Sequence, residues 1–201
     1  MKKISLLLLI LLIIDQLSKY YIKTNFQLFE SREIFGWFKL TFVENLGMAY
    51  GISYGEENGK SILTIVRLIM ICFIGVWIYN SVKKNASNYF LIPITLIFAG
   101  AVGNLVDSIF YGVCFDKGTT FNSHYYEGLA SLNFNGYSTL LQGAVVDMLE
   151  FPLFSFVFPD WFPYLKGTKF DFFKYIFNLA DSYISIGVFF LIVFNKKAFS
   201  K

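Results

Sequence analysis

Charge, histidine, cysteine and proline are all scarce in this chain, and each shortage removes a class of function. Charged residues make up 15% of 201 positions, and the net charge of +3 is scattered along the chain. There is no basic stripe of the kind that marks a nucleic-acid partner. The single histidine, His124, has no HExxH companion and no serine or cysteine elbow, so it is read as a loop residue; neither a metal site nor a cofactor is expected. Cys72 lies in an apolar run and Cys114 in a loop, a spacing that suits neither a disulfide framework nor a metal ligand set. Internal repeats are not evident. No small-x-small cleavage site follows the run Ile4–Ile14, so that run is expected to stay as part of a retained span.

What is abundant is oil. Hydrophobic residues make up 56% and aromatics 20%, with 25 Phe and 13 Tyr, and the mean hydropathy is +0.55. Such a composition predicts an α-helical integral membrane protein. The apolar runs predict four transmembrane helices over residues 4–22, 62–80, 89–110 and 174–194, in one membrane domain. Between them, residues 23–61 hold a small β element, since Phe38, Leu40 and Phe42 alternate with Lys39, Thr41 and Val43 before Asn45, Gly47 and Gly51 break the run. Residues 111–173 form an extended loop in which Pro152, Pro159 and Pro163 forbid one long helix.

Four spans place both termini on one side. That side carries Lys2, Lys3, Lys83, Lys84, Lys196, Lys197 and Lys201, without an acid, while the other two loops mix both signs. The positive-inside rule makes the lysine-rich side cytoplasmic, and residues 23–61 and 111–173 extracytoplasmic.

The costly residues lie inside the spans. Asp15 and Lys19 are four apart on one helix face and predict an ion pair; Asn104 and Asp107 share a face beside Gly100 and Gly103; Asp181 interrupts the last apolar run. An intramembrane carboxylate costs about 2.5 to 3.5 kcal/mol on insertion scales and so marks a function. At about 1.5 Å per residue, Asp15 and Asn104 lie roughly 17 and 22 Å from the cytoplasmic side, and Asp181 about 10 Å below the opposite face, a shared level. Asp147 reaches that level from the outer loop. Arg67, near the outer end of the second span, is left out of this convergence. Two carboxylates in a site of low dielectric cannot both ionise readily, so one is an acid and one a base. On this physics alone, peptide hydrolysis, proton or ion translocation and a packing or assembly role all remain open. A small proton- or ion-coupled transporter would require polar residues along a whole path, whereas Ile4–Ile14 and Val188–Phe194 are unbroken hydrocarbon.

Five segments carry a family resemblance: DQLSK at 15–19, VENLGMAYG at 43–51, GAVGNLVD at 100–107, GAVVDMLEF at 143–151 and FNLADSYISIG at 177–187. In this order, on four spans, they resemble the lipoprotein signal peptidases of bacteria, the type II signal peptidases. The resemblance implies an intramembrane aspartyl endopeptidase of the bacterial cytoplasmic (inner) membrane that removes the signal peptide of a diacylglyceryl-modified prolipoprotein just before the lipidated cysteine. Asp147 and Asp181 match the catalytic pair. Asp15, Lys19, Asn45, Gly47, Gly103, Asn104, Asp107, Asn178 and Ala180 match residues that brace the pair or hold substrate. The implied partners are the prolipoprotein and membrane lipids, with the chain acting as a monomer. Three features depart from the family pattern: Ser108 stands where many members have Arg, Met48 where a smaller residue is common, and residues 113–142 form a long insertion, for which a cap over the active site, a partner-recognition surface and a tolerated insertion all stay open, the last being favoured.

Overall fold

The computed structural model describes residues 2–47, 56–173 and 175–199. Met48, Gly51, Lys174 and Lys201 lie outside the described residues. Among the described residues, three helices are long and apolar enough to cross a membrane: α1 (Lys2–Asn25), α2 (Glu56–Lys83) and the helix that opens as α3 (Asn88–Val106). Both helices expected over 4–22 and 62–80 are thus longer than their apolar runs, because their polar ends continue the same hydrogen-bond ladder. The third runs on from α3 through a π turn (Asp107–Tyr111) into a last short turn, α4 (Gly112–Cys114).

The fourth apolar helix corrects the reading at its start. The span expected from 174 begins only at Leu179, giving α5 (Leu179–Val193), 15 residues long, followed by a short α6 (Asn195–Phe199). The reason lies in two competing local structures. Ile176 and Phe177 (β6) pair with Glu150 and Leu149, and the Asn178 side chain accepts the Asp181 backbone N–H at 2.9 Å, which caps the helix after them. Asp181 therefore sits in the first helical turn rather than two turns in.

The β element is larger than one strand. β1 (Ser31–Phe35), β2 (Phe38–Asn45), β3 (Val145–Glu150) and β6 form an antiparallel sheet in the order β1-β2-β3-β6. A separate hairpin, β4 (Phe154–Val157) with β5 (Lys169–Phe172), stands beside it. In β2 one extra residue lies between Leu40, opposite Leu149, and Val43, opposite Asp147. A bulge of this kind re-aims the side chains next to it, and here it lies beside Asp147.

Helices α1 and α5 both pack on α3. The crossings are close because glycines line them. A Cβ at Gly100 would fall 2.2 Å from the Ala180 carbonyl oxygen, one at Gly187 2.6 Å from the Pro93 carbonyl, and one at Gly103 2.5 Å from the Asp15 carboxylate. Small residues give apolar helices this backbone contact, which replaces the hydrophobic drive that lipid removes. At one end of the bundle, Ile4, Val82, Phe90 and Ala198 belong to one apolar cluster, so the lysines at 2–3, 83 and 196–197 share that end. At the other end Ile22, Phe26, Phe42, Tyr111, Phe115 and Met148 form the core under the sheet.

Candidate active site

The site is built outward from Lys19. Its ammonium has three protons to give and lies on α1, fully buried. It meets Asp15 at 3.0 Å, Asp107 at 2.9 Å and the Asn104 side-chain oxygen at 2.8 Å. The ion pair expected from the i, i+4 spacing is therefore present, and Asp107 makes it a triad. The π turn begins at Asp107, and π turns are frequent at functional sites because they shift the following residues out of helical phase. Gln16 adds a link that the residue pattern did not single out: its amide donates to Asp15 at 3.1 Å, to Asp107 at 2.9 Å and to the Gly103 carbonyl at 3.2 Å.

This buried network orients two asparagines. With its oxygen facing Lys19, the Asn104 amide must point the other way, and it donates to Asp181 at 2.7 Å. The Asn178 amide donates to Asp147 at 2.7 Å and to the Asn104 oxygen at 3.1 Å. A third amide, Asn45, reaches the second Asp147 oxygen at 3.3 Å. Asp15 also accepts the Ala180 N–H at 3.0 Å, so α1 fixes the backbone that carries Asp181.

Both carboxylates line one cavity of about 330 Å³. Asn45, Gly47 and Asn104 add polar groups to its lining, while Val145, Met70, Ile71, Ile74 and Ile184 make much of the rest apolar. Burial, first, and the neighbouring Asp181 charge, second, push the Asp147 carboxyl up to about 7; the Asn45 and Asn178 amides work against this. The residues marked in the sequence thus converge on one place: Asp147, Asp181, Asn45, Gly47 and Asn104 at the cavity, with Asp15, Lys19, Gly103, Asp107, Asn178 and Ala180 directly behind it.

Arg67 overturns its exclusion. It lines the same cavity and donates to the Gly47 carbonyl at 3.3 Å. Gly47 has φ +76°, a left-handed conformation that favours glycine, and its N–H reaches the Asn45 side-chain oxygen at 2.7 Å. Arg67 therefore holds the turn that aims Asn45 at Asp147. Counting depth along α2 could not show this, because the partner is a turn on another element. Ser108, at the position where many family members have Arg, is buried and bonds back to the Asn104 carbonyl at 3.0 Å.

Comparison with known proteins identifies the family. The signal peptidase (SPase) II family matches residues 7–196. The chain belongs to the signal peptidase II family. It is 40% identical over 193 residues to the lipoprotein signal peptidase of Porphyromonas gingivalis, covering 96% of this chain and 82% of that one. The corresponding protein of Amoebophilus asiaticus is 36% identical over 194 residues, covering 94% and 75%. In structure the chain is similar to a bacterial membrane enzyme solved by the in meso method at 1.9 Å resolution, with TM-score 0.58, 26% identity and 96% of this chain against 92% of the other. A second such enzyme, at 2.3 Å resolution, has TM-score 0.60 at 24% identity and shows the fold, covering 100% of this chain and 93% of that one. Family membership favours a peptidase over the transporter reading.

Proposed function

We propose that this chain is an aspartyl endopeptidase of the bacterial inner membrane that removes the signal peptide of a diacylglyceryl-modified prolipoprotein, cutting before the lipidated cysteine. One observation carries the reading: Asp147 and Asp181 line a single cavity, and each accepts a hydrogen bond from an asparagine amide, Asn178 and Asn104, that the buried ion network orients. Asp181 is the base that takes a proton from water. Asp147 is the acid that donates to the scissile carbonyl oxygen as the water attacks. As the C–N bond breaks, the proton held on Asp181 goes to the departing amine and a hydroxyl of the diol returns its proton to Asp147.

The bilayer placement follows from lengths. α5 spans about 22 Å, short of a hydrocarbon core about 30 Å thick, so its capped start lies below one face. The extended residues that lead into it are tolerated at that depth because β6 is paired to β3. The four helices α1, α2, α3 and α5 then cross the membrane, with the lysine-rich end cytoplasmic and the aspartates near the outer face. Acyl chains of the substrate stay in lipid, beside Met70, Ile71, Ile74 and Ile184, while the peptide reaches the carboxylates.

Purified protein in detergent, given one lipidated precursor, should release the signal peptide. Asp147→Asn and Asp181→Asn should each lose cleavage by at least about 1,000-fold while still folding. The wild-type rate should fall as pH rises through about 7, where Asp147 loses the proton it must donate. Substantial turnover by either variant would refute the pair.

A further inference from the structure

Nothing in the site uses the segment between Phe151 and Tyr175, although it joins the strand of Asp147 to the helix of Asp181. Its two strands alternate. Phe154 lies opposite Phe172 and Phe156 opposite Phe170, so four rings share one face of the ribbon, with centroids 4.7 and 5.2 Å apart across the two pairs. Ser155, Val157 and Lys169 belong to the other face. Such a ladder normally covers a core, yet here each ring is between 41 and 54% exposed. In the connection, Trp161 is 78% exposed and Tyr164 fully so. A two-stranded hairpin with no covering layer is marginal in water. An apolar face this exposed has a partner.

The ring contacts say what covers it. From Phe172 they pass to Phe173 at 6.4 Å, to Phe177 at 5.9 Å, to Phe151 at 5.7 Å and to Trp37 at 6.2 Å. The hairpin face is thus the end of an aromatic row that crosses the sheet and passes Phe177, next to the capped start of α5. Rings concentrate at this level of a membrane protein because the boundary between headgroups and acyl chains suits a flat, polarisable group. Asp160 and Asp171 balance Lys166 and Lys169, so attraction to lipid charge is not what seats it. We propose that the β4–β5 hairpin is an interfacial anchor, with its phenylalanine face laid into the outer-leaflet boundary of the bilayer beside the catalytic cavity. It holds the two aspartate-bearing segments at a fixed height against the lipid from which the substrate arrives. The inference rests on the bilayer placement proposed above and not on the peptidase chemistry.

The test uses the full chain with Trp37→Phe and Trp77→Phe, which leaves Trp161 as the single emitter of the 3 tryptophans. In phosphatidylcholine vesicles brominated on the upper acyl carbons, Trp161 emission should lose about half its intensity relative to plain vesicles, and aqueous iodide should quench it weakly. Emission unchanged by bromine overturns the anchor. If iodide then quenches, the hairpin stands in water; if iodide also fails, a second copy or another protein covers it. The unsubstituted chain gives an independent reading, since a diazirine placed high on a lipid acyl chain should label residues 153–173. Phe156→Ser with Phe170→Ser should raise KM for a lipidated precursor in vesicles by about threefold or more, with kcat and detergent activity retained. A wild-type protein that binds lipid through Trp161 and cleaves nothing would refute the peptidase and leave the anchor standing.

Discussion

Asp147 carries a measurable signature in its stability. Its carboxyl titrates near 7 in the folded chain, because of burial and then of Asp181, against an ordinary value of 3.8. Between those two values the folded state holds a proton that the unfolded state has released, so stability declines as pH rises from about 4 to about 7 and is level above it. At about 1.4 kcal/mol per unit the full effect is at most about 4 kcal/mol. Asp147→Asn abolishes this dependence. Thermal unfolding in detergent should therefore show the variant gaining on the wild type by a few kcal/mol between pH 4.5 and pH 8, with the gain developing across that window. Equal pH profiles would show that Asp147 ionises freely and is not the acid.

At the scale of elements, the close contact of α3 with α5 sets the position of Asp181 relative to Asn104. Gly100→Ala puts a methyl 2.2 Å from a backbone oxygen of α5, which no rotamer change relieves, so the helices must separate. The expected cost is about 1 to 3 kcal/mol, with cleavage falling further than stability because the Asn104 to Asp181 hydrogen bond lengthens. Gly75→Ala is the control: its methyl meets only the edge of the Phe98 ring at 3.3 Å, and alanine favours a helix by up to about 1 kcal/mol. Thermal unfolding beside precursor cleavage reads both. The helices were legible in the chain because apolar length and lysine placement are properties of the residues themselves. The polar site residues were legible as expensive charges and by their resemblance to a family. β3 was not, since the buried run VVDM in Val145–Glu150 shows no alternation of oil and water. The β4–β5 pattern was written in Phe154, Phe156, Phe170 and Phe172, but its prolines and aromatics drew the reading toward an irregular loop. The start of α5 was lost because Ile176 and Phe177 are as apolar as a span, while the pairing that keeps them out of the helix comes from Glu150 and Leu149, 26 and 28 residues earlier.

The whole molecule is tied together at its sheet end by a second buried ion pair, which bears on the long segment 113–142. Lys23, at the end of α1, pairs with Glu44 of β2, and both side chains are fully buried. Around the ammonium stand the rings of Phe115 at 5.1 Å, Tyr137 at 5.1 Å and Tyr126 at 5.7 Å. The Tyr126 hydroxyl donates to Glu44 at 3.3 Å, and Tyr137 accepts the Ala144 N–H at 2.8 Å just before β3. The long segment, expected from the sequence to be a tolerated insertion, thus supplies Phe115, Tyr126 and Tyr137 to the shell of this pair and one hydrogen bond to the residue before the strand of Asp147. Lys23→Met alone leaves Glu44 buried without its cation and should cost about 3 to 5 kcal/mol, as should Glu44→Gln if the charge of Lys23 is stranded. Lys23→Met combined with Glu44→Gln removes both charges while keeping an acceptor for Tyr126, and should recover most of that loss. Thermal unfolding of the three variants in detergent decides the matter: a strongly positive coupling ties residues 113–142 into the fold through this pair, whereas simply additive losses would show that its rings merely cover a surface.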